Sequence, residues 1–165
     1  QFRVVHSLSS LRRDEEQRFT LIELMMVVLS IAILIAIAIP TCLGARSRAQ
    51  DRAAQSDLRN GLTAEKTVYT DGQTYSADTS TAGLKGVEAS LNWGGVDTTK
   101  PALNVKIGNS STGTNDIVCL DEKSKSGSVF SIGDIGTGSK AGTYFGKAVC
   151  PAATEAGVGA MAGSW

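Results

Sequence analysis

The sequence predicts an α+β fold in which one long, kinked N-terminal helix packs on a small antiparallel sheet. Before residue 60 the chain has a single glycine, Gly44, which favours helix. Residues 19–39 are almost entirely apolar, and residues 40–70 place apolar side chains at helical spacing. The rest is rich in glycine, serine and threonine, and its short apolar runs separated by turn signals are typical of strands.

These patterns divide the 165 residues into four segments. We expect a polar, leader-like extension over residues 1–18, a hydrophobic helix over 19–39, an amphipathic helix over 40–70 and a β-rich globular head over 71–165. Without the hydrophobic helix about 100 residues remain, which is enough for one small soluble core.

The hydrophobic segment has the length of a transmembrane helix. Its 21 residues would rise roughly 32 Å, about the thickness of the hydrocarbon layer. Glu23 is its one ionisable side chain, and a lone carboxylate costs a few kcal/mol or more in that environment. Either Glu23 stays protonated near the headgroups, or it pairs with a cationic group of a neighbouring subunit. Strict register would follow from the second alternative.

Pro40 ends the hydrophobic segment and is expected to kink or locally break the helix, because it lacks an N–H group. Beyond it, one apolar stripe is expected to cover the sheet, and it consists of Ala54, Leu58, Leu62 and Tyr69.

A second stripe of this helix carries small side chains and permits the close approach of another helix. It consists of Ala45, Ala49 and Ala53. Charges of both signs surround it. They form either a solvated face or ion pairs between neighbouring subunits.

Four strands are predicted after residue 71, over 102–108, 116–122, 128–133 and 142–149. Cys119 and Cys150 lie in this half and could close a 32-residue loop, which would imply an oxidising compartment. The alternative is two buried free thiols. Cys42 is interpreted as a small packing residue, with lipidation as the alternative.

The composition excludes several function classes. Sixteen basic and sixteen acidic residues cancel, so the chain lacks the charge of a nucleic-acid-binding protein. His6 is the single histidine, and no phosphate-binding loop is present. We therefore predict no enzyme, no cofactor and no metal. Four acids near the predicted hairpin could line a cation site, but solvated turn residues are the favoured interpretation. They are Asp116, Asp121, Glu122 and Asp134.

The run Phe19-Thr-Leu-Ile-Glu23-Leu, with Pro40 at the far end of the segment, resembles the N-terminus of type IV pilins. The resemblance implies an extracellular helical filament with the apolar helices bundled inside. It implies that Phe19 is the methylated N-terminus, that Glu23 directs assembly and that Pro40 kinks the helix. The alternative within the same superfamily is a pseudopilin of a type II secretion or DNA-uptake system.

The implied partners are identical subunits, membrane lipid before assembly, a prepilin peptidase and an inner-membrane assembly machine with a separate ATPase. The subunit would reside in the cytoplasmic membrane and then in a pilus on the cell surface. Arg13-Asp-Glu-Glu16 resembles the end of a prepilin leader, but Gln17-Arg18 stands where the family has the glycine before the cut. Residues 1–18 are therefore either removed or retained. If they are retained, Arg18, Arg12 or Arg13 would replace the free amine as the partner of Glu23.

Overall fold

The computed structural model describes residues 20–95, 98–161 and 163–165. Its elements are α1 (Leu21–Gly72), α2 (Leu84–Val87), β1 (Leu103–Gly108), β2 (Ile117–Lys123), β3 (Val129–Ile135), β4 (Gly142–Gly146) and α3 (Glu155–Gly159). The strands form one open antiparallel sheet in the order β1-β2-β3-β4. The predicted combination of a long apolar N-terminal helix with a small antiparallel sheet is confirmed. The chain divides into two compact units, 1–41 and 42–165, which are treated separately below.

In the first unit, the local break expected at Pro40 does not occur. Pro40 lies inside α1, and helical residues continue on both sides of it. Its missing N–H leaves the carbonyl one turn earlier without the usual donor. Next to it, the hydroxyl of Thr41 donates a hydrogen bond to the carbonyl of Ala38 at 2.9 Å.

In the second unit, the predicted apolar stripe of α1 covers one face of the sheet. Ala54, Leu58 and Leu62 are buried, and Tyr69 packs against the same core at partial exposure. The strands and the segment before them supply the rest of this core, chiefly Trp93, Leu84, Leu103, Val118, Leu120, Phe130 and Ile132. The helix and sheet approach closely at Gly61, where an added Cβ would lie 2.7 Å from Cδ2 of Leu103. The predicted role of the stripe as cover is confirmed.

The other face of the sheet carries a smaller core around the disulfide Cys119–Cys150. Ile117, Ile135 and Val158 pack around this bond, and all three are buried. Val158 comes from α3, and the side chain of the N-cap residue Thr154 accepts a hydrogen bond from the backbone N–H of Gly157. The disulfide therefore fastens the C-terminal segment to β2, and the predicted pairing of these cysteines is confirmed.

The strand boundaries differ from the prediction mainly in the second hairpin. β3 continues to Ile135, because Asp134 and Ile135 still pair with Thr143 and Gly142 of β4. β4 ends at Gly146 rather than at residue 149, and Val149 is 58% exposed. β4 is an edge strand, so its length is set by β3 alone.

Candidate functional site

The first unit presents an apolar surface on all sides of α1. Every large hydrophobic side chain from Leu21 to Ile39 is between 48% and 76% exposed. By length and composition this part of α1 could cross a membrane, and none of its most apolar stretch is buried within the chain. An exposed apolar surface of this extent is unfavourable in water unless other apolar groups cover it.

Glu23 has partners within its own chain. Its backbone N–H donates to Oγ1 of Thr20 at 3.2 Å, while the N–H and hydroxyl of Thr20 donate to Oε2 of Glu23 at 3.4 and 3.3 Å. This reciprocal arrangement is a capping box, in which two residues three apart satisfy the free N–H groups at a helix start. Within a single chain, Glu23 therefore has hydrogen-bond partners at the start of α1. The spacing of Thr20 and Glu23, three residues apart, is the sequence pattern that indicates this capping box.

Two of the residues expected to direct assembly, Phe19 and Arg18, lie outside the described residues, as does the whole extension 1–18. Cys42 is a free cysteine and is exposed, so it does not serve as a packing residue within this chain.

The four acids interpreted as solvated turn residues are all buried, so that interpretation is wrong. Asp116 accepts hydrogen bonds from the backbone N–H of Ser110 at 2.7 Å and from the hydroxyls of Ser110 and Thr137. Burial alone would raise the pKa of Asp116, but these hydrogen bonds outweigh it and lower the pKa. On the disulfide side of the sheet, Asp121 accepts from Asn104 Nδ2 at 3.0 Å and from the N–H of Cys150 at 3.3 Å.

Asp134 is the centre of a polar cluster between the sheet and α1. It accepts hydrogen bonds from the hydroxyls of Tyr75 and Thr143 and forms an ion pair with Lys66 at 3.0 Å. Burial and the neighbouring carboxylate raise the pKa of Tyr75, so this phenol stays protonated and acts as a donor.

Glu122 is placed differently, because side chains of β2 alternate between the two faces of the sheet. Val118 and Leu120 face α1, and Glu122 follows them on that side. It is 1% exposed, and neither carboxylate oxygen has a hydrogen-bond partner. Burial, with a smaller contribution from Asp57, raises the pKa of Glu122 to about 8. Burial likewise raises the pKa of Glu65 to about 7.

Two cavities lie on opposite flanks of α1 in the second unit. The acid cavity, about 540 Å³, is lined by Ala49, Ala53, Asp57 and Glu122 among others, with Arg46 and Lys125. The basic cavity, about 650 Å³, is lined by Arg48, Asp51, Arg52, Gln55, Lys147 and Trp165 among others. Among the residues that the structure describes, none lines both cavities.

None of these acids forms a metal centre. Among residues 20–95, 98–161 and 163–165, no three histidine, cysteine, aspartate or glutamate side chains are grouped to hold a metal ion. The chain matches no protein-family model, no curated protein and no solved structure. The proposed function therefore rests on the residues of this chain and their geometry.

Proposed function

We propose that this chain is the structural subunit of an extracellular helical filament of the type IV pilus kind. The observation that carries the proposal is the exposed apolar surface of α1 from Leu21 to Ile39, whose one charged residue is Glu23. Lipid would cover this surface before assembly, and the helices of identical subunits would cover it in the filament. Both environments are apolar, so transfer from one to the other has little hydrophobic cost.

The second unit, which comprises residues 42–165 and forms the head of the subunit, supports the same proposal. Its core is complete without residues 20–41, since both hydrophobic clusters consist of residues from 54 onward. The disulfide fits an oxidising compartment, as expected on a cell surface. A subunit with an independent head and an uncovered apolar helix is suited to bundling through that helix.

Glu23 has two candidate roles in this proposal. As a helix cap, it contributes about 0.5–2 kcal/mol to the start of α1 together with Thr20. As a buried charge in a helix bundle, it pairs with a cation of a neighbouring subunit, with Arg18 as a candidate, and disfavours every slipped register. The second role requires the charge, whereas the first does not.

Three variants separate these roles in filaments sheared from cells. Glu23→Gln keeps the side-chain acceptor of the capping box and removes the charge, so we expect filaments to be lost. Thr20→Ala removes the cap and keeps the charge, so filaments should persist. Arg18→Ala tests the cationic partner: normal filaments would exclude Arg18 from that role.

The intact mass of the subunit in wild-type filaments decides the state of the extension. A mass that starts at Gln1 would show that residues 1–18 remain, whereas a mass that starts at Phe19 with an added methyl would show that they are removed. Absence of this chain from the filaments would overturn the proposal and favour a pseudopilin. Filaments in Glu23→Gln but not in Thr20→Ala would reduce Glu23 to a helix cap.

A further inference from the structure

The acid cavity contains a buried carboxyl group that has no hydrogen-bond partner. Glu122 is 1% exposed with both oxygens unpartnered, and Asp57 lies on the wall of the same cavity. Burial raises the pKa of Asp57 as well, against the opposing effect of Lys100. A buried carboxylate without a donor is costly unless it is protonated or compensated by a cation. The cavity is therefore suited to receiving a cationic donor.

Cations of the same chain meet this need only in part, since Lys100 acts on Asp57 electrostatically while its ammonium donates a hydrogen bond to the carbonyl of Ser90 at 3.1 Å. Arg46 and Lys125 line the cavity and are exposed, yet neither forms an ion pair with Asp57 or Glu122. Within the described part of the chain, the side chains that form an ion pair are Lys66 and Asp134. Because solvent screens exposed charges, Arg46 and Lys125 repel an incoming cation only weakly.

The opposite flank of the helix carries suitable cations. Arg48 and Arg52, one helical turn apart, line the basic cavity with Lys147, and Asp51 is the acid among its lining residues. Both arginines are exposed, and no carboxylate of the described residues pairs with them. Arg59 is different, because its guanidinium lies 4.9 Å from the ring centroid of Trp165.

We propose that the acid cavity receives the guanidinium of Arg52 from a second copy of this chain. The basic flank of one copy then lies against the acid flank of the next, and charge complementarity selects this pairing over a self-pairing of like flanks. A guanidinium can donate through its fork of N–H groups to the carboxylate of Asp57, which is the partly exposed acid of the cavity wall. Ala49 and Ala53 on the cavity wall are small and exposed, which lets the neighbouring helix approach.

Two different flanks meet in this contact, so it is heterologous and can repeat without closing into a dimer. The inference rests on the proposed filament function and gives the heads a register-setting contact of their own. The proposed contact between heads does not involve Glu23, which belongs to the other unit. Experiments can therefore reject the contact between heads and the filament function separately.

A charge swap in the full chain tests the contact. We expect Arg52→Glu and Asp57→Arg each to lower the yield of sheared filaments about tenfold or more, because each places like charges together. The double variant should restore filaments, and Arg59→Gln on the same helix serves as the control. Normal filaments in both single variants, or no rescue in the double variant, would overturn the proposal while the result for Glu23→Gln still decides the filament function.

Cysteine cross-linking tests the same contact without altering these charges. In a Cys42→Ser background, filaments are assembled from mixed Ala49→Cys and Gln55→Cys chains, which label the acid and basic flanks respectively. Disulfide-linked dimers should form in the mixture and in neither variant alone. Dimers from one variant alone, or none in the mixture, would overturn the contact.

Binding of a small cation is the alternative use of the cavity, and it is tested with free agmatine on the detergent-solubilised chain. If agmatine binds and Arg52→Glu still forms normal filaments, the cavity serves a small cation and the proposed contact is wrong.

Discussion

Glu65 links α1 to the loop that follows it, because its Oε2 accepts a hydrogen bond from the backbone N–H of Ser76 at 3.1 Å. Its Oε1 has no partner, and the residue is 0% exposed. Burial raises the pKa of Glu65 from 4.5 to about 7, and the hydrogen bond from Ser76 opposes this only in part. The stability of the head therefore depends on a proton at this site.

We expect the head to lose stability as pH rises from about 4.5 to 7. Folded Glu65 retains a proton that the unfolded chain releases near pH 4.5, so its contribution is complete below that pH and is lost on approach to pH 7. The contribution amounts to about 3 kcal/mol. Glu65→Gln should make the fall in unfolding free energy about 1.4 kcal/mol per pH unit less steep. Denaturant unfolding of the full chain in detergent, followed by tryptophan fluorescence at several pH values, measures this slope.

Glu122 contributes to the same pH dependence, since its pKa is also raised, to about 8. A slope should therefore remain in Glu65→Gln and become much shallower in the double variant with Glu122→Gln, where Asp57, whose pKa is also raised by burial, still contributes. Asp71→Asn removes an exposed carboxylate from the same helix and is the control. An unchanged slope in Glu65→Gln would contradict the assignment of the proton to Glu65.

Removing Asp134 should cost far more stability than removing its ionic partner. Asp134 is 7% exposed at its side chain and accepts three donors, whereas Lys66 is 49% exposed. Asp134→Ala leaves the buried phenol of Tyr75 without its acceptor, and we expect a loss of about 2–3 kcal/mol. Lys66→Met should cost less than about 1 kcal/mol, because the lost ion pair is half exposed on the lysine side and the hydroxyls of Tyr75 and Thr143 still donate to Asp134. Equal losses in thermal unfolding of the two variants would argue against this cluster.

Gly61 is required by the close packing of α1 on the sheet. An added Cβ would lie 2.7 Å from Leu103 and 3.2 Å from Leu120, and both leucines are fully buried. Gly61→Ala should therefore destabilise the head by about 1–3 kcal/mol, which exceeds the gain of up to about 1 kcal/mol in helix propensity. Gly44→Ala, whose nearest neighbour is the end of Arg48 at 3.7 Å, is the control and should not destabilise. A stabilised Gly61→Ala variant would show that the two leucines can move aside.

The disulfide should contribute about 3–4 kcal/mol to the stability of the head, mainly by restricting the unfolded chain. Reduction, or the paired change Cys119→Ala and Cys150→Ala, should lower the unfolding free energy by this amount. The measurement is made in a Cys42→Ser background, so that the exposed thiol cannot exchange with the bond. Identical unfolding curves before and after reduction would contradict the expected contribution of the disulfide to stability.

Periodicity and spacing were sufficient to predict the main elements of the fold. Leu58 and Leu62 lie one turn apart on the buried face of the helix, and alternation along 102–108 marked the first strand. The pairing of Cys119 with Cys150 followed from their common location in the β-rich half. These are local signals that do not depend on how the elements pack.

The buried acids could not be predicted in the same way. Glu122 stands between Asp121 and Lys123 at the end of the predicted strand 116–122, and these charged neighbours favour a solvated position at the start of a turn. The pairing register places it opposite Leu103 on one side and Phe130 on the other, and thus beneath the helix. Register and face are tertiary properties, so a single sequence gives little sign of them. The Thr20–Glu23 capping box, by contrast, was readable from its spacing and was missed.

The cysteine bond also determines what a proteolytic cut can do to this molecule. Cys119 lies in β2 and Cys150 follows β4, so both strands β3 and β4 lie within the loop that the bond closes. A protease that cuts once between these cysteines, for example at the exposed turn near Gly127, leaves two fragments that remain covalently attached. The nicked chain would differ from the intact chain only by the mass of one added water until a reductant separates the two fragments. Damage at this hairpin would therefore not by itself release a fragment from the subunit.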